Sequence, residues 1–424
     1  MAASAPVFEL WNYCPYLMCG ERLDVDSKAR FCGQCGNGFN ACSTCRVTNR
    51  LLAVFCRGCG KKMDTESWPM HPGLRARQTR PGSINFIGEL QTPFPLYLGA
   101  EVSAQPIAAD GVIIIPQSEG GITLLSELKG EIIGHLSVED NIAVTPALHA
   151  GNLFVAFGTR ISSFDLTSFL DQAASQQRQP EWVFDCAGGA IVQPLLVDET
   201  AVYFLASSGD QVILDAISQG NGQRLWPEPL RFEPGLTTPP ILLKDYVVLV
   251  TSAGNVKLIL AATGQVERAF PLNRQVDLQV SPFVIDQRVL LADPSGYLFE
   301  IVLDESGPLI NELYDQHARI SSIAANERFI ALGHMAGLTL LSSRGNLQWS
   351  SDTLESVSVP PTVSGETVFA LDDAGNGLLF NALKSNPVAR VKMLTGEVST
   401  APLVTESRIV AMSSDGKVSA IDWH

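Results

Sequence analysis

The chain has 424 residues, 46% hydrophobic and 17% charged, with 44 acidic against 29 basic side chains and a formal net charge of −15. This composition excludes bulk disorder, and the length exceeds one compact core, so a small domain plus a large repeat array is expected. Gly (35) and Pro (25) are plentiful, which points to a turn-rich, all-β chain.

At the N-terminus, Met1–Phe8 carries neither the positive n-region nor the apolar h-region of a secretory signal. Apolar runs such as Gly111–Pro116 are too short to span a bilayer. The expectation is a cytoplasmic protein in a reducing compartment, with no membrane partner. Eight of the nine cysteines fall between Cys14 and Cys59, and Cys186 stands alone. In such a compartment a cluster of this kind reads as a metal framework rather than a disulfide one.

The cluster is four pairs: Cys14 and Cys19, Cys32 and Cys35, Cys42 and Cys45, Cys56 and Cys59. Zinc takes four thiolates in a tetrahedron at about 2.3 Å, and a C-x2-C turn places two sulfurs on one side of the ion. In chain order, Cys14, Cys19, Cys32 and Cys35 make one site and Cys42, Cys45, Cys56 and Cys59 a second. The near-copies Phe31-Cys32-Gly-Gln-Cys35-Gly36 and Phe55-Cys56-Arg-Gly-Cys59-Gly60 argue for tandem duplication and this sequential pairing. A cross-braced pairing, first with third and second with fourth, stays open. Four protein thiolates leave no coordination position for water, so both Zn2+ ions are expected to be structural. Metal binding, on the order of 10–16 kcal/mol per site, would supply the folding energy of so small a module.

Over residues 10–65 these pairs resemble the double zinc ribbon family. The first pair departs from it with four intervening residues, and Cys45 is followed by Arg46 where the pattern has Gly. Residues 1–80 hold 11 basic and 6 acidic side chains, a net of +5. Two zinc–tetrathiolate centres would bring that to about +1. Few aromatics interleave the basic residues, so a base-stacking platform is not expected, and nucleic-acid binding by the ribbons is the alternative reading. The remaining 344 residues hold 18 basic and 38 acidic side chains, a net of −20, which excludes an electrostatic nucleic-acid surface there.

Domain boundaries follow: a double zinc ribbon at 1–66, a Pro/Gly/Arg linker at 67–82, and a repeat array at 83–424. Within the array, polar glycine turns sit at Ser118–Gly121, Phe157–Thr159, Ser207–Asp210, Ser252–Asn255, Pro294–Gly296, Met335–Gly337, Asp373–Asn376 and Ser413–Gly416. The glycines recur at spacings of 37, 51, 45, 42, 41, 38 and 41 residues, eight units in all. In the fourth unit the pattern predicts strands over Thr237–Lys244, Tyr246–Thr251, Asn255–Leu260 and Val266–Phe270. Four short antiparallel strands per repeat is a propeller blade, and apolar runs such as Val247–Val250 suit strands covered on both faces. The chain stops on a third strand at 417–424, so the orphan strand Ser83–Leu90 is expected to complete the eighth blade and hide its edge.

The segments Leu214–Trp226, Leu258–Gln265 and Leu340–Trp349 resemble the quinoprotein-like repeat, a strand followed by a Gly turn and a tryptophan. The resemblance spans 83–424 and implies an eight-bladed propeller in which Trp182, Trp226 and Trp349 dock onto the next blade. Quinone-dependent dehydrogenases share the fold, and many have adjacent cysteines beside the cofactor. Here Cys186 is the propeller's one cysteine and is expected to be a small buried hydrophobe. The histidines at 71, 135, 149, 317, 334 and 424 have no metal-site spacing, and nucleophile-elbow and phosphate-loop motifs are absent. Asp372–Asn376 resembles a calcium loop without its distal Glu, so a β-turn is expected.

The resulting reading is not an enzyme but a scaffold or adaptor, whose acidic propeller favours basic protein partners within a multi-protein complex. A similar pairing of zinc ribbons and propeller occurs in bacterial systems built around an AAA+ ATPase and a von Willebrand A-type partner, some tied to phage defence. That resemblance implies a place in such a complex. A ubiquitin-ligase-like RING and a small-ligand sensor using the central channel are further classes.

Overall fold

In the computed structural model the described residues are 39–41, 48–50 and 96–422, apart from 110, 128, 167–178, 187–188, 210, 234–236, 286, 304–306 and 406–407. Residues 96–422 build eight antiparallel sheets, each a blade of an eight-bladed propeller. Blade 1 comprises Ile107–Ala109, Val112–Pro116, Gly121–Ser126 and Ile132–Ser137. Blade 2 comprises Ala147–His149, Asn152–Phe157, Arg160–Asp165 and Trp182–Asp185. Blade 3 has a split first strand (Ala190–Ile191 and Leu196–Val197), then Ala201–Ser207, Val212–Ser218 and Leu230–Phe232. Blade 4 runs Ile241–Leu243, Tyr246–Val250, Asn255–Leu260 and Val266–Pro271. Blade 5 runs Phe283–Ile285, Arg288–Ala292, Tyr297–Leu303 and Pro308–Asp315. Blade 6 is Ile320–Ala325, Phe329–His334, Gly337–Ser342 and Leu347–Ser351; blade 7 is Thr362–Ser364, Thr367–Leu371, Asn376–Asn381 and Pro387–Lys392. Blade 8 is Leu403–Val404, Arg408–Met412 and Lys417–Asp422, completed by Leu96–Tyr97.

All eight predicted glycine turns connect a second strand to a third. Their construction repeats. In blade 5 the Asp293 carboxylate accepts from Tyr297 N–H at 3.0 Å, and in blade 7 the Asp372 carboxylate accepts from Asn376 N–H at 2.8 Å. The hydroxyls of Thr251 and Ser413 do the same for Asn255 and Lys417. A short polar side chain at the first turn position thus caps the next strand. Gly254 shows why glycine follows: its φ is +81°, and a Cβ there would lie 1.9 Å from the Arg274 carbonyl oxygen. Asp372–Asn376 is such a turn, as expected.

Burial grades across each blade. The second strands are covered on both faces: Val112–Pro116 and Thr367–Leu371 are buried throughout, whereas the fourth strand Val266–Pro271 is mostly exposed. The core lies in the seams. Val248, Val250 and Leu258 of blade 4 pack with Leu291, Phe299 and Ile301 of blade 5, each worth about 1.5–3 kcal/mol of burial. First strands of neighbouring blades touch, as 283–285 does 320–325 and that strand does 362–364.

Ring closure uses a strand from the N-terminal side. Leu96 pairs with Val418 and Tyr97 with Lys417, and Val102 N–H donates to Ser414 O at 3.0 Å. The segment Ser83–Leu90, expected in this role, lies outside the described residues.

Candidate functional site

Two short strands are described on the N-terminal side. Phe39–Ala41 pairs antiparallel with Thr48–Arg50, in register Phe39↔Arg50, Asn40↔Asn49 and Ala41↔Thr48. These two strands bracket the third cysteine pair, Cys42 and Cys45, in sequence. All eight expected zinc ligands (Cys14, Cys19, Cys32, Cys35, Cys42, Cys45, Cys56 and Cys59) lie outside the described residues. Their thiolate chemistry suits tetrahedral zinc. Among the described residues no cluster of three His, Cys, Asp or Glu side chains is placed to hold a metal ion.

On the propeller, the turns between second and third strands gather at one axial face with the segments that lead from each blade into the next. Three of these leads end on a polar residue followed by proline, Gln105-Pro106, Thr145-Pro146 and Ser281-Pro282, and Gln193-Pro194 stands between the two halves of blade 3's first strand. The residue before proline is held extended. Their side chains bridge neighbouring blades. Gln105 accepts from Ala401 N–H at 2.8 Å and donates to Ala401 O at 3.1 Å, which closes blade 8 onto blade 1. Gln193 donates to Thr237 O at 3.0 Å between blades 3 and 4.

A group of charged side chains on this face lies at blades 4 to 6. Arg319 grips Asp277 with two hydrogen bonds, Nε to Oδ2 at 2.6 Å and Nη2 to Oδ1 at 2.9 Å. Burial alone would raise the Asp277 carboxyl, but the hydrogen bonds from Arg319 and the Gln279 N–H outweigh it and hold the group below the usual carboxylate range. Arg274 lies 3.7 Å from Asp293, touches Glu312 and rests 5.0 Å from the Phe299 ring centre. His334 is buried at the end of the second strand of blade 6. Its Nδ1 accepts from Ala336 N–H at 3.3 Å, so Nε2 faces Thr339 Oγ1 at 3.1 Å as donor. Burial pushes its pKa down.

Exposed carboxylates continue around the face at Glu101, Glu139, Asp140, Glu355, Glu397 and Asp415. The cations Arg160, Arg274, Arg319 and Lys417 each lie against a carboxylate. Arg231 and Lys392 also reach this face, bonding the Gln211 side chain and the Ala374 carbonyl.

The sequence-predicted tryptophans all seal seams. Trp182, Trp226 and Trp349 each donate from Nε1, at 2.9 Å, to a carbonyl of the next blade: Gln219, Ala261 and Ala382 respectively. Gly264 is the platform under Trp226, where a Cβ would lie 2.6 Å from the indole ring. Cys186 is buried beside Phe154 and Phe204, as expected. The Asp277–Arg319 pair is not visible in any local motif. Its signal is the period: the two residues are 42 apart, one repeat, and residues one repeat apart meet across a seam.

With this geometry in hand, the comparisons place the chain. The family described as "Outer membrane protein assembly factor BamB" matches residues 118–336 and again 334–424. The chain belongs to this family. Among solved structures it is similar to BamB from Moraxella catarrhalis, at 17% identity and a TM-score of 0.60, covering 79% of this chain and 98% of that one. It is also similar to the computationally designed Ika8 protein, at 14% identity and TM-score 0.59, covering 77% and 97%. The quinohemoprotein alcohol dehydrogenase from Comamonas testosteroni follows at 13% identity and TM-score 0.59, covering 84% and 80%. At these identities the structures share the fold. No curated protein matches the sequence.

Proposed function

We propose that the chain is a non-catalytic scaffold that binds protein partners in a multi-protein complex. The propeller supplies a rigid acidic platform, and an N-terminal module holding two structural Zn2+ ions through its eight cysteines supplies a second contact. The observation that carries this reading is the axial face: exposed carboxylates at Glu101, Glu139, Asp140, Glu355, Glu397 and Asp415 ring it, and four of its cations, Arg160, Arg274, Arg319 and Lys417, lie against carboxylates. Such a face attracts basic partners and speeds their encounter. Membership of a family described as an assembly factor supports the same reading. Thiolate-bound zinc suits a reducing compartment, so the proposed location is cytoplasmic.

The test is affinity purification of the intact chain from native lysate, with and without nuclease, with zinc measured on the purified chain. The scaffold reading expects a protein partner that survives nuclease and two zinc ions per chain. Recovery that depends on nucleic acid would overturn it in favour of the zinc ribbons as a nucleic-acid reader.

A further inference from the structure

Each blade turns from its second strand to its third at the axial face, and the tip in blade 6 is unlike the rest. The matching tips carry Ser118-Glu119, Thr159, Ser208, Ser252-Ala253, Pro294-Ser295, Asp373-Ala374 and Ser414-Asp415, none with a long apolar side chain. Blade 6 carries Met335, 80% exposed, more than any other large hydrophobic side chain among the described residues. The turn holds it out. Ala336 N–H donates to Nδ1 of the buried His334, and the His334 carbonyl accepts from Val357 N–H at 3.1 Å in the lead to blade 7. Gly337, at φ +122°, lies so close to the end of the fourth strand that a Cβ would sit 2.2 Å from the Ser351 carbonyl oxygen. With both sides of the turn tied down, the exposure of Met335 belongs to the folded state rather than to an opened one. The two other described methionines are the opposite case: Met393 is 6% exposed and Met412 1%.

We propose that Met335 is a reversible oxidation site, converted by peroxide to the sulfoxide in the folded protein and returned by a thiol-dependent sulfoxide reductase. The sulfur lone pair attacks one peroxide oxygen, the O–O bond breaks, and the displaced oxygen leaves as water. Sulfur loses two electrons and peroxide gains them. Two thiols give those electrons back, the sulfoxide oxygen leaving as water and the thiols as a disulfide. The oxidised side chain is polar and chiral where the parent was apolar and flexible. Because Met335 lies outside the core, the change alters the axial face and leaves the blades as they are.

The probe is hydrogen peroxide, added to the full chain, with each methionine read separately by peptide mapping. Met335 should oxidise at least tenfold faster than Met393 or Met412. Urea below the unfolding transition should raise the rates of that buried pair and leave the Met335 rate unchanged, because only the buried sulfurs wait for an opening. The two epimer-specific reductases together should restore the Met335 thioether in the folded chain. Met335→Gln, which sets a polar side chain at the tip, should melt within about 2 °C of the natural sequence. A Met335 rate no faster than that of the buried pair, or one that climbs with urea, would overturn the proposal. So would a sulfoxide that the reductases remove only after unfolding, or a larger loss of stability in Met335→Gln.

Discussion

Two kinds of contact hold neighbouring blades together, and they use opposite chemistry at opposite ends of the blades. Between blades 2 and 3, 3 and 4, and 6 and 7, an indole ring lies on the next blade and donates to its carbonyl. Between blades 4 and 5 and blades 5 and 6, Arg274 and the Asp277–Arg319 clamp make the contacts at the axial face. The first kind buries a large apolar body with its one polar atom satisfied, which stabilises at any pH or salt. The second keeps charge half in water, which contributes little net stability but leaves a polar, partner-accessible face. The comparison teaches that repeat geometry fixes where blades meet, while the residue types there decide whether a seam only seals or also presents chemistry.

The largest effect should come from removing an indole. Trp226→Ala empties a site that is 2% exposed and should cost about 3–5 kcal/mol in urea unfolding, with little dependence on salt. At the charged seam, Arg319→Met leaves the 5%-exposed Asp277 carboxylate without its partner. It should cost about 1–3 kcal/mol, more than Asp277→Asn, which strands only the half-exposed guanidinium. The reverse order would show that burial does not set the cost at this seam.

His334 sharpens the contrast by pH. Its folded pKa lies below the unfolded value of about 6.5, so the unfolded chain takes up the proton first. Its contribution is full above about pH 6.5 and drains away as pH falls through the folded value. Thermal midpoints scanned between pH 7.5 and 5 should drop, and His334→Gln should flatten the slope. The smallest effect belongs to Arg328–Glu366, 2.8 Å apart with side chains 58% and 36% exposed. Arg328→Ala should cost about 0.2–1 kcal/mol and less in high salt.

What was legible in the sequence was what repeats. The eight turns showed because a glycine near one repeat in spacing is forced by backbone contacts such as Gly254 against the Arg274 carbonyl. Trp226 and Trp349 showed because each follows a glycine, Gly222 and Gly345, by four residues. Arg274 and Asp277 did not show, because an ion pair between loops of neighbouring blades leaves no mark in a local window. For ring closure, Leu96–Tyr97 pairs with the last blade, and the segment expected there, Ser83–Leu90, lies outside the described residues. The cysteine pairs were the plainest motif of all, and the hairpin 39–41/48–50 frames one of them.

The most direct test of the account is the association rate between the captured partner and the full chain across ionic strength, for the natural sequence and for Glu355→Lys/Glu397→Lys. An acidic face that steers a basic partner predicts a rate that falls steeply with salt. The variant should bind more slowly at low salt and with a flatter dependence. A rate insensitive to both salt and the two reversals would contradict the claim that this face receives the partner.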